Sequence, residues 1–190
     1  MNKLLKGSIA GAVGVALLLG GGGTLALWNN SAVAAGGSVT SGVLTIASTG
    51  AAAWKNISAD AVPAAAAISD ITAYKIVPGD KLELTQTVTI NATGNNLTAL
   101  LTYDPLTIVT TNPAGAALKS ALTYTMDATG GSNVSRVTGT NTFAVTPSTS
   151  TSTVTVKFTV ELPSTTTGAV AQAGTINLSA LGFSLTQTRP

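Results

Sequence analysis

The 190-residue chain has no cysteine and no histidine. Without cysteine there is no disulfide framework and no thiol chemistry. Without histidine there is no His-based catalytic triad, and the two absences together exclude a His/Cys zinc site. Charged residues make up 8% of the chain and aromatics 4%, both low for a cytosolic globule. The sequence pI of about 9.0 overstates the basic character. Two of the nine Lys/Arg, Lys3 and Lys6, lie in a segment expected to be removed, which leaves seven basic residues against seven acidic ones. A near-neutral chain has no electrostatic reason to bind nucleic acid.

The seven carboxylates are scattered: Asp60, Asp70, Asp80, Glu83, Asp104, Asp127 and Glu161. Asp80 and Glu83 are close in sequence, but positions i and i+3 of a strand point to opposite faces. No HExxH helix is present. Asp127 to Asn133 offers oxygen ligands in a loop but lacks the spacing of a calcium hand, and reads as a solvated turn. Asn29, Asn56, Asn91, Asn96, Asn133 and Asn177 each open an N-x-S/T triplet, which a Thr/Ser-rich chain produces by chance. Gly20–Gly23 is no phosphate loop, because no strand precedes it and no Lys-Ser/Thr follows. The expectation is a protein that is not an enzyme, with no catalytic residue, no cofactor and no metal.

What the chain does contain is threonine, serine and period-two alternation. Val77-Pro78-Gly79-Asp80 has type II turn chemistry: Pro78 sets φ at the first central position and Gly79 supplies positive φ at the second. Leu82, Leu84, Val88, Ile90 and Ala92 then share one face of a strand, with Gln86 as the polar exception. Lys81, Glu83, Thr85, Thr87, Thr89 and Asn91 share the other. Gly94-Asn95-Asn96 reads as a turn, with Leu97–Tyr103 returning as the second arm of a hairpin. A hairpin this long needs a second sheet over its apolar face.

Other elements follow in order. Val39–Ala47 reads as the first strand. Ala64–Ala67, after Pro63, reads as a short helix, and Ile68–Val77 as a strand. Trp54 reads as a plug of the core or of a sheet edge. Leu106–Thr111 is a brief β-branched segment, and Asn112-Pro113 opens a helix of one or two turns, with Asn112 as N-cap. Leu122–Met126 and Thr140–Val145 read as strands around a flexible loop at Asp127–Asn133. Thr153–Leu162 alternates most clearly, with Val154, Val156, Phe158 and Val160 inward. In Gly174–Gln187, Ile176 and Leu178 have one parity and Leu181, Phe183 and Leu185 the other, which requires a bulge near Ala180–Gly182. Many short strands with turns between them make an all-β fold. The expected architecture is a two-sheet antiparallel, jelly-roll-like β-sandwich with at most one or two short helices.

The N-terminus reads as an export signal: Lys3 and Lys6 as a basic head, an apolar run from Ile9 to Leu19, Gly20–Gly23 as a helix breaker, and Thr24-Leu25-Ala26 as a small-x-Ala site. An uncleaved anchor from Gly7 to Leu27 is the competing reading. A second small-residue site, Ala32-Val33-Ala34, leaves cleavage after Ala34 open. The domain division is thus a signal over 1–26, a mobile small-residue arm over 27–38, and a β-sandwich over 39–190.

Several of these stretches resemble the TasA/camelysin family of secreted Gram-positive proteins, whose export depends on a SipW-type signal peptidase. The signal KGSIAGAVGVALLLGGGGTLALWNN is similar to those of actinobacterial members. The Pro78-Gly79-Asp80 turn and its strand, the pattern Gly42, Leu44, Ile46, and the closing Phe183, Ser184, Leu185, Gln187 match as well. The stretch from about 105 to 150 carries no match. The resemblance implies cleavage at Thr24, Ala26 and Leu27, before Trp28 and Asn29, with the membrane engaged only transiently through the signal peptide. It implies a secreted or cell-surface protein that polymerises with itself into envelope or biofilm-matrix fibres. The expected route is donation of an N-terminal strand to the next subunit, anchored by Leu27, Trp28 and Val33 around Asn29. The alternative is a monomeric envelope adhesin or binding module. The family name's claim of metalloprotease activity does not carry over without the motif.

Overall fold

The computed structural model describes residues 2–21, 36–169 and 171–188. The chain divides into two compact units, Met1–Val39 and Thr40–Pro190. In the first, helix α1 spans Lys3–Gly21. It includes Gly20 and Gly21, two residues into the glycine run expected to break it. The strong helix formers before them carry propagation through residues that cost ~1 kcal/mol each. Leu4, Ile9, Val13, Val15 and Leu17 are exposed on it. Among the described residues no helix is long and apolar enough to cross a membrane.

The second unit is a two-sheet antiparallel β-sandwich. Its strands are β1 (Val43–Asn56), β2 (Ala66–Ile68), β3 (Lys81–Thr93), β4 (Thr98–Tyr103), β5 (Val109–Thr110), β6 (Thr123–Thr129), β7 (Val134–Arg136), β8 (Phe143–Val145), β9 (Ser152–Glu161), β10 (Ile176–Asn177) and β11 (Phe183–Thr188). One sheet has the order β2-β1-β3-β9-β6 and the other β11-β4-β8-β7, with β10 and β5 forming a short separate pair. Helix α2 (Pro113–Ala121) lies between β5 and β6 in sequence.

Strands β3 and β9 occupy the middle of the larger sheet. Every second residue of β3 from Leu82 to Ala92 is buried, as the alternation predicts. Val154, Val156, Phe158 and Val160 of β9 are at most 1% exposed. The core has two parts along this pair. Val88, Ile90, Val154 and Val156 pack against Leu101, Phe143 and Val145 of the second sheet. Leu84, Phe158 and Val160 pack against Ile108 and against Leu118 of α2. Tyr103 and Tyr124 flank the Phe158 ring, with centroids 4.9 and 5.9 Å away.

Several expectations are corrected. β3 and β4 do not form a hairpin: β3 pairs with β1 and β9, while β4 pairs with β11 and β8. The Gly94-Asn95-Asn96 turn carries the chain from one sheet to the other, because both edges of β3 are already taken. The first strand begins at Val43 and continues to Asn56. Gly42 precedes it because a Cβ there would lie 2.1 Å from the Thr93 carbonyl oxygen. In place of the predicted Ala64–Ala67 helix, Ala64 and Ala65 turn and Ala66–Ile68 form strand β2, since four alanines are too few to nucleate a helix and the end of β1 offers a pairing partner. Within Ile68–Val77, the Asp70 carboxylate accepts from Thr72 N–H at 2.9 Å and winds Ile71–Ala73 into a 3₁₀ turn in place of a strand. The Asp127–Asn133 loop is shorter than expected, as β6 runs to Thr129, and β7 follows it unforeseen. The parity break near Ala180 comes from a turn between two strands of different sheets, with Leu181 N–H bonded to Leu178 C=O, where a bulge was expected.

Two predictions follow from this packing. Phe158→Ala should cost ~3–5 kcal/mol in denaturant melts, the usual range for a buried Phe. Thr159→Ala, on the outer face, should stay within ~1 kcal/mol, and equal losses would invert the assignment of faces. Burial, and then Tyr103, push the Tyr124 phenol up from 10.0 to about 12. Below pH 10 both folded and unfolded chains hold this proton. Above it the unfolded chain ionises first, so stability should fall between pH 10 and about 12. Tyr124→Phe should lessen that fall without abolishing it, because burial also raises Tyr74 and Tyr103. Thermal melts across this range check the slope.

Candidate functional site

The Pro78-Gly79 turn forms as expected. Gly79 has φ of 102° and Asp80 N–H reaches Val77 C=O at 3.0 Å. The turn also extends the central ladder, because Gly79 N–H donates to Leu162 C=O at 2.7 Å and Leu162 N–H to Asp80 C=O at 3.0 Å. The Asp80 carboxylate is 8% exposed and accepts from Val77 N–H at 2.9 Å and Tyr74 O–H at 3.4 Å. Tyr74 in turn accepts from Asn56 Nδ2 at 3.1 Å. Tyr74 is raised by burial first, then by the Asp80 charge. This network pins the turn to the end of β1.

Five of the other six carboxylates are also occupied locally, Asp60 being the exception. Glu83 pairs with Lys157, Glu161 with Lys81, and Asp127 with Arg136. Asp70 and Asp104 cap 3₁₀ turns. Among the described residues no three acidic side chains are grouped to hold a metal ion. Thr24, Ala26, Leu27, Trp28, Asn29 and Val33 lie outside the described residues.

The features that remain are sheet edges and a groove. The outer edge of β6 is capped by side chains: Asn141 Nδ2 donates to Tyr124 C=O at 3.1 Å and Arg136 to Met126 C=O at 3.3 Å. Arg136 is held there by Asp127 at 2.7 Å and by the Phe143 ring, 4.7 Å from its guanidinium carbon. β2 and β7 are three residues each, and β11, whose outer edge no described strand pairs, is six. β1 differs. From Val43 to Ala53 it pairs with β3 on one side, and no described strand pairs with the other, because β2 reaches only Trp54–Asn56. That stretch, VLTIASTGAAA, has no charge and no proline. It lacks the devices that normally guard an edge, apart from one bulge.

The bulge explains Gln86. Register passes from Thr49↔Thr87 to Ala53↔Thr85, so Gly50–Ala52 stand opposite Gln86 alone. Gly50 takes φ of 75°. Gln86, 7% exposed, sends Nε2 to the carbonyls of Thr49 and Gly50 at 3.1 and 3.2 Å. The polar exception in an apolar face is a strut for the bulge. It was visible in the sequence, while its partner in an Ala-rich stretch without period was not.

Behind β1 lies a groove of ≈ 1430 Å³. One wall is the inner face of β1, including Ile46 and Trp54, and the floor holds Leu84 and Val160. The opposite wall is the strap from Ala171 to Phe183. Its apolar residues Ala171, Ile176, Leu178, Leu181 and Phe183 are each only half-buried, so the layers do not close. Trp54 is also half-buried and packs on the lower core, as a plug would. The strap is positioned by Asn112. As predicted, Asn112 caps α2, accepting from Gly115 N–H at 2.7 Å. The same side chain also accepts from Thr175 N–H at 3.2 Å and donates to Ala173 C=O at 2.9 Å. Gly115 and Gly174 allow this contact, since a Cβ on Gly115 would lie 2.3 Å from Thr175 O.

Asn112→Ala should therefore cost ~1–2 kcal/mol, a full N-cap loss. It should also raise hydrogen exchange at Gly115 and Thr175 while β3 and β9 stay protected. Unchanged exchange at Thr175 would show that Asn112 does not hold the strap.

No protein-family model, no curated protein and no solved structure matches this chain.

Proposed function

We propose that this protein is an exported structural subunit that assembles head to tail into cell-surface or matrix fibres, with an N-terminal segment of one copy pairing along β1 of the next. The observation that carries the reading is the Val43–Ala53 edge: uncharged, unpaired among the described residues and longer than the six-residue free edge of β11, where β6 is capped and β2 and β7 are too short. A contact between two different surfaces of the same chain leaves one of each free at the ends, and it propagates as a filament wherever its rotation does not close a ring. The resemblance of the signal and of several strands to TasA-like proteins supports export, processing by a SipW-type peptidase and assembly. The second reading, a monomeric envelope binding module, draws on the open groove behind β1.

Deleting residues 27–38 should abolish filaments in electron microscopy and light scattering while leaving the circular dichroism melt nearly unchanged. Thr45→Lys with Ala47→Lys should also stop growth, by placing charge along the edge without touching the core. If the deleted chain still forms the same filaments, donation from this arm is wrong. If it unfolds, the arm is an intramolecular strand. Mass spectrometry of secreted protein should place the N-terminus at Leu27, and a species still carrying Lys3 and Lys6 would favour the anchor.

A further inference from the structure

The groove behind β1 has a chemistry that strand pairing does not use. Its floor and the half-buried side chains of its strap are apolar, through Trp54, Leu84, Val160, Leu178 and Phe183, while the polar strap residues Gln172, Thr175, Asn177 and Ser179 line it from exposed positions. The polar groups that line it deeper in are already satisfied. Gln86 is spent on the β1 bulge, and the Tyr74 hydroxyl on Asp80 and Asn56. Among the described residues no carboxylate lines the groove. One cation does: Lys75, exposed, in none of the ion pairs among the described residues.

We propose that this groove binds a long-chain fatty acid, with the acyl chain along the apolar floor and the carboxylate at Lys75. The occupant follows from the distribution of polarity. A peptide or sugar brings hydrogen-bonding groups along its whole length, and burying these without partners costs free energy at each one. An acyl chain brings none, and gains from every methylene removed from water. A single cation beside an apolar channel without acids is complementary to a ligand with one anionic end. The half-buried side chains of the strap are the surface such a chain would cover. Trp54 lies in the wall and reports occupancy.

The test uses the full-length chain with Trp28→Phe, so that Trp54 is the sole tryptophan, titrated with 9,10-dibromostearate below its micelle concentration. Saturable quenching at one ligand per chain is expected. Lys75→Gln should weaken stearate about three- to fivefold, the worth of an exposed charge pair, and leave octadecanol binding unchanged. Leu178→Glu, which puts an anion in the strap wall at a half-exposed position, should abolish quenching while the melt is retained. Absence of saturable quenching would overturn the proposal, as would equal weakening of stearate and octadecanol by Lys75→Gln. Quenching that appears only when filaments form would also overturn it and assign the groove to a second copy of the chain. Stearate binding by the chain lacking residues 27–38, which is not expected to grow filaments, separates this inference from assembly.

Discussion

The structure rests on the antiparallel ladder between β3 and β9, which runs without a break from Lys81↔Glu161 to Ile90↔Ser152. Both strands alternate strictly, so the ladder presents one face that is apolar except for Gln86 and Ser152 and one threonine-rich face with ion pairs. The apolar face is longer than the second sheet is wide. Its upper half is covered by β4 and β8, and its lower half by α2 and the Ile108 segment. Half-buried Tyr103, its ring tilted against that of Phe158, and Phe183 pack on both halves and join them. Most other placements follow from the need to cover this face.

Covering it leaves one side of the sandwich unfinished. On the β6 side the fold invests an arginine and an asparagine in the exposed carbonyls of Tyr124 and Met126. On the β1 side it invests nothing comparable. β1 carries an unguarded backbone edge outward and half-buried Leu44, Ile46 and Trp54 inward. The strap opposite is fixed at its start by Asn112 and two close-packed glycines, and its apolar side chains face a gap. Backbone pairing and apolar filling are separate capacities of this one side, the first open to a strand and the second to an apolar guest.

Buried polar groups are few and all used. Ser58, Asp80, Gln86 and Ser152 are the buried polar residues among those described, and none of their buried side-chain atoms lacks a partner. Each marks a place where the chain leaves regular geometry: the β1 end, the Pro78-Gly79 turn, the Gly50–Ala52 bulge and the Asn133 loop. Polarity here fixes irregular backbone, because an unsatisfied group inside an apolar core costs more than the bond returns.

Local chemistry alone determined the inward faces of β3 and β9, the turn at Pro78-Gly79, the Asn112 cap and the all-β class. Those features depend on period, on φ preferences and on side chains that bond within three residues, all of which are written in contiguous sequence. It also flagged Gln86 as anomalous. Only the tertiary structure decided that the Gly94 turn joins two sheets, that alanines 66 and 67 extend an edge, and that β1 continues through a bulge to Trp54. It alone decided that the strap stands off the sheet. In these cases the competing local preferences differ by less than the pairing energy of a strand already in place. The outcome is set by which backbone groups the neighbouring elements leave free.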